Sequence, residues 1–140
     1  MKRRLFRATP IITALAGVTL LASVASAAPP ASVRGAWVIL TDQTYTTLDI
    51  TNQGGPGGPG GSVCRVIIGS IGIAPIRGFY CPDTGRIHFL HNNLSTGATV
   101  RTFTGSVSED ASASMHMAGA FNVVNAAFGP FGEHPFSANR

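Results

Sequence analysis

The chain has 140 residues, of which 44% are hydrophobic and 11% are charged, with a formal net charge of +4. Lys2, Arg3, Arg4 and Arg7 are four of the ten basic residues, whereas all six acidic residues lie beyond them. The remainder of the chain therefore balances six arginines against six acids. Nucleic-acid binding requires clustered cations. These six arginines are scattered singly, so we expect no nucleic-acid partner.

The first 27 residues have the pattern of a cleavable signal peptide. Their basic start precedes an apolar run from Ile11 to Val24, and Ala25-Ser26-Ala27 supplies the small residues that a signal peptidase recognises. The apolar run is shorter than the roughly 20 residues needed to cross a bilayer, so an uncleaved membrane anchor is the weaker alternative. We expect residues 1–27 to be removed and residues 28–140 to form a secreted or periplasmic domain without a membrane span.

Strand signals dominate the mature chain, and no stretch keeps the period of an amphipathic helix. Short runs rich in β-branched and aromatic residues alternate with turns of Gly, Pro, Asn and Asp, which indicates a sandwich or a barrel. We predict an all-β single domain, an antiparallel up-and-down β-barrel of eight strands with one disulfide. The predicted strands are Val33–Leu40, Thr44–Thr51, Ser62–Ile71, Ile76–Cys81, Arg86–His91, Thr99–Val107, Ser114–Val124 and Phe131–Ala138.

Residues 54–61 read Gly-Gly-Pro-Gly-Gly-Pro-Gly-Gly, a composition that offers no side chains for a core. We interpret this Gly/Pro-rich loop as a flexible connector between the second and third strands, with a lid over a ligand site as the alternative. It lacks the features of a phosphate-binding loop, because no Lys-Ser/Thr pair follows it and no helix begins there.

The two cysteines of the mature chain, Cys64 and Cys81, would reach an oxidising compartment where a disulfide persists. Pairing residues whose numbers sum to 145 places them opposite each other in a hairpin and leaves Gly72-Ile73 as a two-residue loop. Glycine in the first loop position suits a type II′ turn. The sequence therefore predicts a Cys64–Cys81 disulfide. Free thiols or a metal pair are the weaker alternatives, because no nearby Cys or His completes a ligand set.

Gly35-Ala36-Trp37, near the start of the first strand, resembles the Gly-x-Trp signature of the calycin group of up-and-down barrels. That group includes avidin-like, lipocalin-like and small bacterial protease-inhibitor barrels. The resemblance implies that Trp37 plugs one barrel end and that Arg140 is placed like the basic residue that covers it. Avidin-like sites wall biotin with several tryptophans, and this chain has only Trp37, so biotin binding is disfavoured.

The resemblance to lipocalin-like barrels implies a small apolar ligand inside the barrel. The alternative is that the inward side chains fill the interior as ordinary core. The inward positions that would line such a ligand site are Trp37, Ile39, Leu48, Ile50, Phe103, Met115, Met117 and Phe121.

Groups suited to catalysis are few: the chain has four histidines and no recognisable nucleophile, paired-acid or metal-binding motif. His88 and His91 are three residues apart on a predicted strand, so their side chains face opposite sides of the sheet. His116 lies between two inward methionines and should point outward, and His134 lies near the C-terminus. We expect no enzyme activity, no cofactor and no metal site.

These features together predict an exported non-enzymatic binding protein of avidin- or lipocalin-like architecture, with a small molecule or a protein as its partner. Two alternatives remain open. If the chain acts like the inhibitor barrels, the N-terminal arm Ala28–Ser32 would insert into a protease cleft. If it is a structural protein, its near-zero net charge and open strand edges would favour a self-assembling homo-oligomer.

Overall fold

The computed structural model describes residues 27–55 and 63–140, and strands account for most of them. Buried and exposed side chains alternate along each strand, as expected where one face of a sheet covers a core. The strands pair antiparallel in chain order and close into a barrel. They are β1 (Gly35–Thr41), β2 (Thr44–Gln53), β3 (Arg65–Ile71), β4 (Ala74–Cys81), β5 (Arg86–Asn92), β6 (Thr99–Glu109), β7 (Met115–Val123) and β8 (Gly132–Asn139).

The predicted fold class is confirmed: the described chain is an all-β, closed, eight-stranded up-and-down barrel with one disulfide. This is the architecture that the calycin resemblance implies. The signal peptide prediction lies outside the described residues apart from Ala27, and so do residues 56–61 of the Gly/Pro-rich loop. A short 3₁₀ helix, Ala126–Phe128, precedes β8 and was not predicted. No helix within the described ranges is long and apolar enough to cross a membrane.

The β3–β4 hairpin has the predicted register. Arg65 pairs with Tyr80 and Ile71 with Ala74, so Gly72 and Ile73 form the two-residue loop, and Cys64 is bonded to Cys81. Gly72 has φ +58°, a conformation that glycine adopts without the steric cost of a Cβ atom. Because Ala74 pairs with Ile71, β4 begins two residues earlier than the predicted start at Ile76.

Four phenylalanines occupy the middle of the barrel. Phe103 stacks on Phe89 and on Phe121, with ring centroids 4.6 and 5.1 Å apart, and Phe136 meets Phe103 edge-on at 5.3 Å. Each is almost completely buried. Aromatic pairs in such arrangements contribute about 0.5–1.5 kcal/mol beyond the area that they bury. This cluster therefore joins strands β5, β6, β7 and β8 from the inside.

Gly105 and Gly119 face each other across β6 and β7 beside this cluster. A Cβ atom on Gly119 would overlap the carbonyl oxygen of Thr104 and lie 2.5 Å from the Cα of Gly105. A Cβ atom on Gly105 would lie 3.0 Å from the ring of Phe136. The close approach of the two strands around the aromatic cluster thus requires residues without side chains.

We predict that Gly119→Ala lowers the free energy of unfolding by about 1–3 kcal/mol, because the added methyl group must push β6 away from β7. Urea unfolding followed by far-UV circular dichroism measures the change. Gly55→Ala is the matched control, since a Cβ atom there has no neighbour within 4 Å. Equal stability of the two variants would contradict the prediction, because it would show that β6 and β7 accommodate a methyl group at position 119.

The disulfide closes a loop with a sequence separation of 17. In the chain-entropy account, a loop of this length restricts the unfolded chain by roughly 3 kcal/mol. We predict that the double variant Cys64→Ser/Cys81→Ser loses stability of that size in urea unfolding. Reduced wild-type protein should match the variant, and a reductant that left wild-type stability unchanged would contradict the prediction.

Candidate functional site

The predicted ligand-lining residues come together in the barrel interior, where they pack against one another as core. Side chains that are 1% exposed or less have almost no surface that a water molecule can reach, as expected in a close-packed interior. Met115 is partly buried against the same cluster. Their role as ligand-lining residues stays a prediction, and it would require the core to open. The residues that are 1% exposed or less are Trp37, Ile39, Leu48, Ile50, Phe103, Met117 and Phe121.

Trp37 closes one end of the barrel. Its indole Nε1 donates a hydrogen bond to the Val33 carbonyl at 2.9 Å, and the guanidinium carbon of Arg140 lies 5.8 Å from the ring centroid. The backbone of Arg140 also exchanges two hydrogen bonds with Met115, at 2.9 and 3.0 Å. The placement of Arg140 over Trp37 that the resemblance implies is thus confirmed, and β8 continues its pairing to the last residue.

The N-terminal arm lies across this same end. Tyr80 donates its phenolic hydrogen to the Pro30 carbonyl at 2.6 Å, and the Glu109 amide donates to the Ala28 carbonyl at 2.8 Å. Gln53 accepts from the Val33 amide and donates to the Ala31 carbonyl. Burial, with a smaller contribution from Glu109, raises the pKa of Tyr80 to about 12, so the phenol stays protonated and able to donate. The arm therefore forms part of the barrel's closure.

The opposite end, which we call the mouth, contains two inward-pointing basic side chains. His91 and Arg101 are directly opposite each other on β5 and β6, and they share the inward direction of Phe89 and Phe103. His91 is only 9% exposed. Burial, and then the charge of Arg101, lowers the pKa of its imidazole. His91 Nδ1 and Arg101 Nε are both buried with no hydrogen-bond partner among the described residues.

Residues 124–131 cover the mouth. Arg101 Nη2 donates to the Phe128 carbonyl at 2.7 Å, and the Asn125 side chain caps the 3₁₀ helix by accepting from the Ala127 amide at 3.0 Å. The 3₁₀ helix itself buries no side chain. Segments with few buried contacts are the ones that open at low free-energy cost. We therefore regard residues 124–131 as the removable cover of the mouth.

The remaining groups of the mouth are arranged around Phe121. The guanidinium carbon of Arg101 lies 5.3 Å from the Phe121 ring centroid, and the His134 ring stacks on Phe121 at 5.1 Å. His134 Nδ1 is 3.1 Å from Asp42 Oδ1, and its Nε2 is 3.2 Å from the Pro130 carbonyl. Asp42 thus pairs with His134. Within the described ranges, no carboxylate lies within 4.0 Å of the Arg101 guanidinium.

Sequence analysis missed this group, although one signal was present. The period-2 alternation that makes Ile87 and Phe89 inward also makes His91 inward, and it places the half-buried His88 on the opposite face of the strand, as predicted. A polar side chain on the inward face of a strand marks a place where a buried polar group needs a partner. The closeness of Asp42 and Phe128 to the mouth depends on loops that pattern alone does not position.

A second cluster of polar groups lies outside the barrel around Asp110. Ser112 Oγ donates to Asp110 Oδ1 at 2.6 Å, and His116 Nε2 lies 3.4 Å from Asp110 Oδ2. Hydrogen bonds, chiefly from Ser112, lower the pKa of Asp110 to about 2. The hydroxyl contacts the acid and not the imidazole, so the order of groups that activates a serine nucleophile is missing. Nowhere in the described chain do three or more His, Cys, Asp or Glu gather as a metal site.

No protein family, curated protein or solved structure matches this chain.

His91 makes the stability of the barrel depend on pH. Its folded pKa lies below the ordinary 6.5, so the unfolded chain takes up a proton first as the pH falls. Stability is therefore full above pH 6.5 and declines below it, by at most about 1.4 kcal/mol per pH unit for one proton. We predict that His91→Gln removes this part of the decline between pH 7.5 and 5 in urea unfolding. His88→Gln, on the outer face of the same strand, is the control, and an unchanged decline in His91→Gln would refute the assignment.

Proposed function

We propose that this chain is an exported, non-enzymatic binding protein of avidin- and lipocalin-like architecture, which holds a small anionic molecule at the barrel mouth. Its export is supported by the basic and apolar segments that precede Ala25-Ser26-Ala27. The Cys64–Cys81 disulfide is consistent with a secreted or periplasmic location, where such bonds persist.

The observation that carries the proposal is the uncompensated charge of Arg101. A guanidinium is always protonated and carries five N–H donors in a planar fork. In the described chain one of these donors meets the Phe128 carbonyl, Nε has no partner, and no carboxylate neutralises the charge. A partly buried cation without a counter-ion is unfavourable. An anionic ligand would supply both the missing charge and the missing acceptor.

The ligand would enter by displacing residues 124–131. A carboxylate that takes the place of the Phe128 carbonyl would accept from Arg101 in the two-pronged manner that suits guanidinium groups. Its apolar body would meet the ring of Phe121, which Arg101 and His134 flank. Neutral His91 lies beside this position, and its Nδ1 is free of other hydrogen bonds in the described chain.

The other candidate functions have less support. A ligand deep inside the barrel requires the rings of the aromatic cluster to separate. The packing free energy lost in that separation would have to be offset by the binding of a small apolar molecule. Insertion of the N-terminal arm into a protease requires the hydrogen bonds to Pro30, Ala28 and Ala31 to break first. Binding without catalysis fits the arrangement at Asp110, where the Ser112 hydroxyl donates to the acid and does not contact the His116 imidazole.

Titration with benzoate and with its neutral amide, benzamide, tests the proposal. We expect benzoate to raise the thermal unfolding midpoint and to shift the amide NMR signals of Arg101 and of residues 124–131, and benzamide to do neither. Arg101→Gln should weaken benzoate binding at least tenfold, because a hydrogen bond to a charged group contributes about 1.5–3 kcal/mol.

Arg34→Gln is the matched control, since Arg34 is exposed and lies at the opposite end of the barrel. The proposal fails if Arg101→Gln binds benzoate as well as wild type does. It also fails if a panel of small aromatic and aliphatic carboxylates leaves the midpoint and the NMR signals of wild type unchanged.

A further inference from the structure

Strands β3, β4 and β5 present an apolar surface on the outside of the barrel wall, which we call the β3–β5 face. Val66, Ile68 and Phe79 on this face are 42%, 45% and 51% exposed. Among the described residues, five of the ten exposed large hydrophobic side chains lie between positions 63 and 81. The face consists of two cross-strand rows, first Val66, Phe79 and His88, then Ile68, Arg77 and Leu90.

The surface of this face is shallow. Two depressions of about 240 and 370 Å³ meet at Phe79 and His88, whose rings stack at a centroid distance of 5.8 Å. Protein partners that bind tightly place an anchoring side chain in a well-packed pocket, and a convex wall with shallow depressions provides none. A deformable surface follows such a wall more closely.

The β3–β5 face is also one-sided in charge. The outward side chains of strands β3, β4 and β5 include two arginines and no acid, because the third arginine of these strands, Arg65, shares the inward direction of Ile67. Arg77 and Arg86 are exposed beside the apolar rows. Two acids border the face: Asp49 on β2, which lies opposite Ser70 of β3, and Asp83 in the turn between β4 and β5. A partner for this face therefore combines an apolar layer with negative charge.

The closed sheet removes another mode of binding. Each of the eight strands is paired on both sides, so the described barrel has no open edge to which a peptide strand could be added. Contact with the β3–β5 face must be made through side chains alone. This requirement suits a partner whose binding needs no backbone hydrogen bonds.

We propose that the β3–β5 face docks the barrel on an anionic lipid surface. Phe79, Val66 and Ile68 would enter the boundary between headgroups and acyl chains, while Arg77 and Arg86 contact lipid phosphates. The face lies on the side wall and the mouth lies at a barrel end, so lipid docking does not depend on the ligand proposed for the mouth. It adds a membrane-surface location to a protein whose described chain has no membrane-spanning helix.

Sedimentation with lipid vesicles tests this proposal. We expect the protein to bind vesicles of phosphatidylglycerol and phosphatidylcholine in equal parts, and to bind them more weakly as the salt concentration rises. Binding to vesicles of phosphatidylcholine alone should be much weaker. Phe79→Ser and Arg77→Gln should each reduce the affinity for the anionic vesicles by about fivefold or more.

Tyr45→Ser is the matched control, because Tyr45 is an aromatic residue that is 71% exposed on β2 and lies outside the face. All variants are compared with the same N-terminus, verified by mass spectrometry, so that the basic segment Lys2–Arg7 does not account for differences. Equal binding to both kinds of vesicle overturns the proposal, and so does equal binding by Phe79→Ser and Tyr45→Ser. A dimer that forms with rising concentration and that Phe79→Ser dissociates also overturns it, because the face would then be occupied by a second copy of the chain.

Discussion

Phe103 lies at the centre of the barrel, in contact with the rings of Phe89, Phe121 and Phe136, and these contacts determine how the strands close. A barrel of eight strands encloses a space that side chains just fill. Here aromatic rings fill the β5–β8 side, and glycines at neighbouring positions keep the wall close to them. An interior occupied in this way leaves the two ends and the outer wall for binding.

The two ends of the barrel differ in how their polar side chains are hydrogen-bonded. At the Trp37 end, the chain's own N-terminal arm and last residue provide partners, so Tyr80 and Gln53 are hydrogen-bonded although they lie near the core. At the mouth, Arg101 and His91 keep unpaired nitrogens beneath a cover that buries little. Buried polar groups in native proteins are almost always paired. Arg65 Nε at the Trp37 end also lacks a partner. The mouth differs because two such groups, His91 and Arg101, lie directly opposite each other beneath a segment that buries no side chain of its 3₁₀ helix.

Most of the fold could be predicted from the sequence, because the relevant interactions are local or periodic. The positions of Cys64, Cys81 and Gly72 were sufficient to predict the β3–β4 register. The alternation of inward and outward residues along each strand placed Phe103 and Met117 inside the barrel. The mouth could not be predicted in the same way. It joins Arg101 to Phe128 and Asp42 to His134, pairs far apart in sequence whose contact depends on loop geometry. Sequence patterns define the face of a strand but not the loop that covers its end.

A rigid barrel with a weakly held cover also limits how binding can change the molecule. Each strand is hydrogen-bonded to two neighbours, so a local change in the wall would break pairing on both sides. The segment over the mouth is attached by the Arg101–Phe128 hydrogen bond, by the bond from the Val124 amide to the Val100 carbonyl, and by the contact of His134 with the Pro130 carbonyl. The bond from Arg101 is the one that a ligand carboxylate could replace, and a bond to a charged group contributes about 1.5–3 kcal/mol. A ligand of the kind proposed for the mouth would therefore need to move residues 124–131, while the disulfide-linked hairpin and its outer apolar face stay in place.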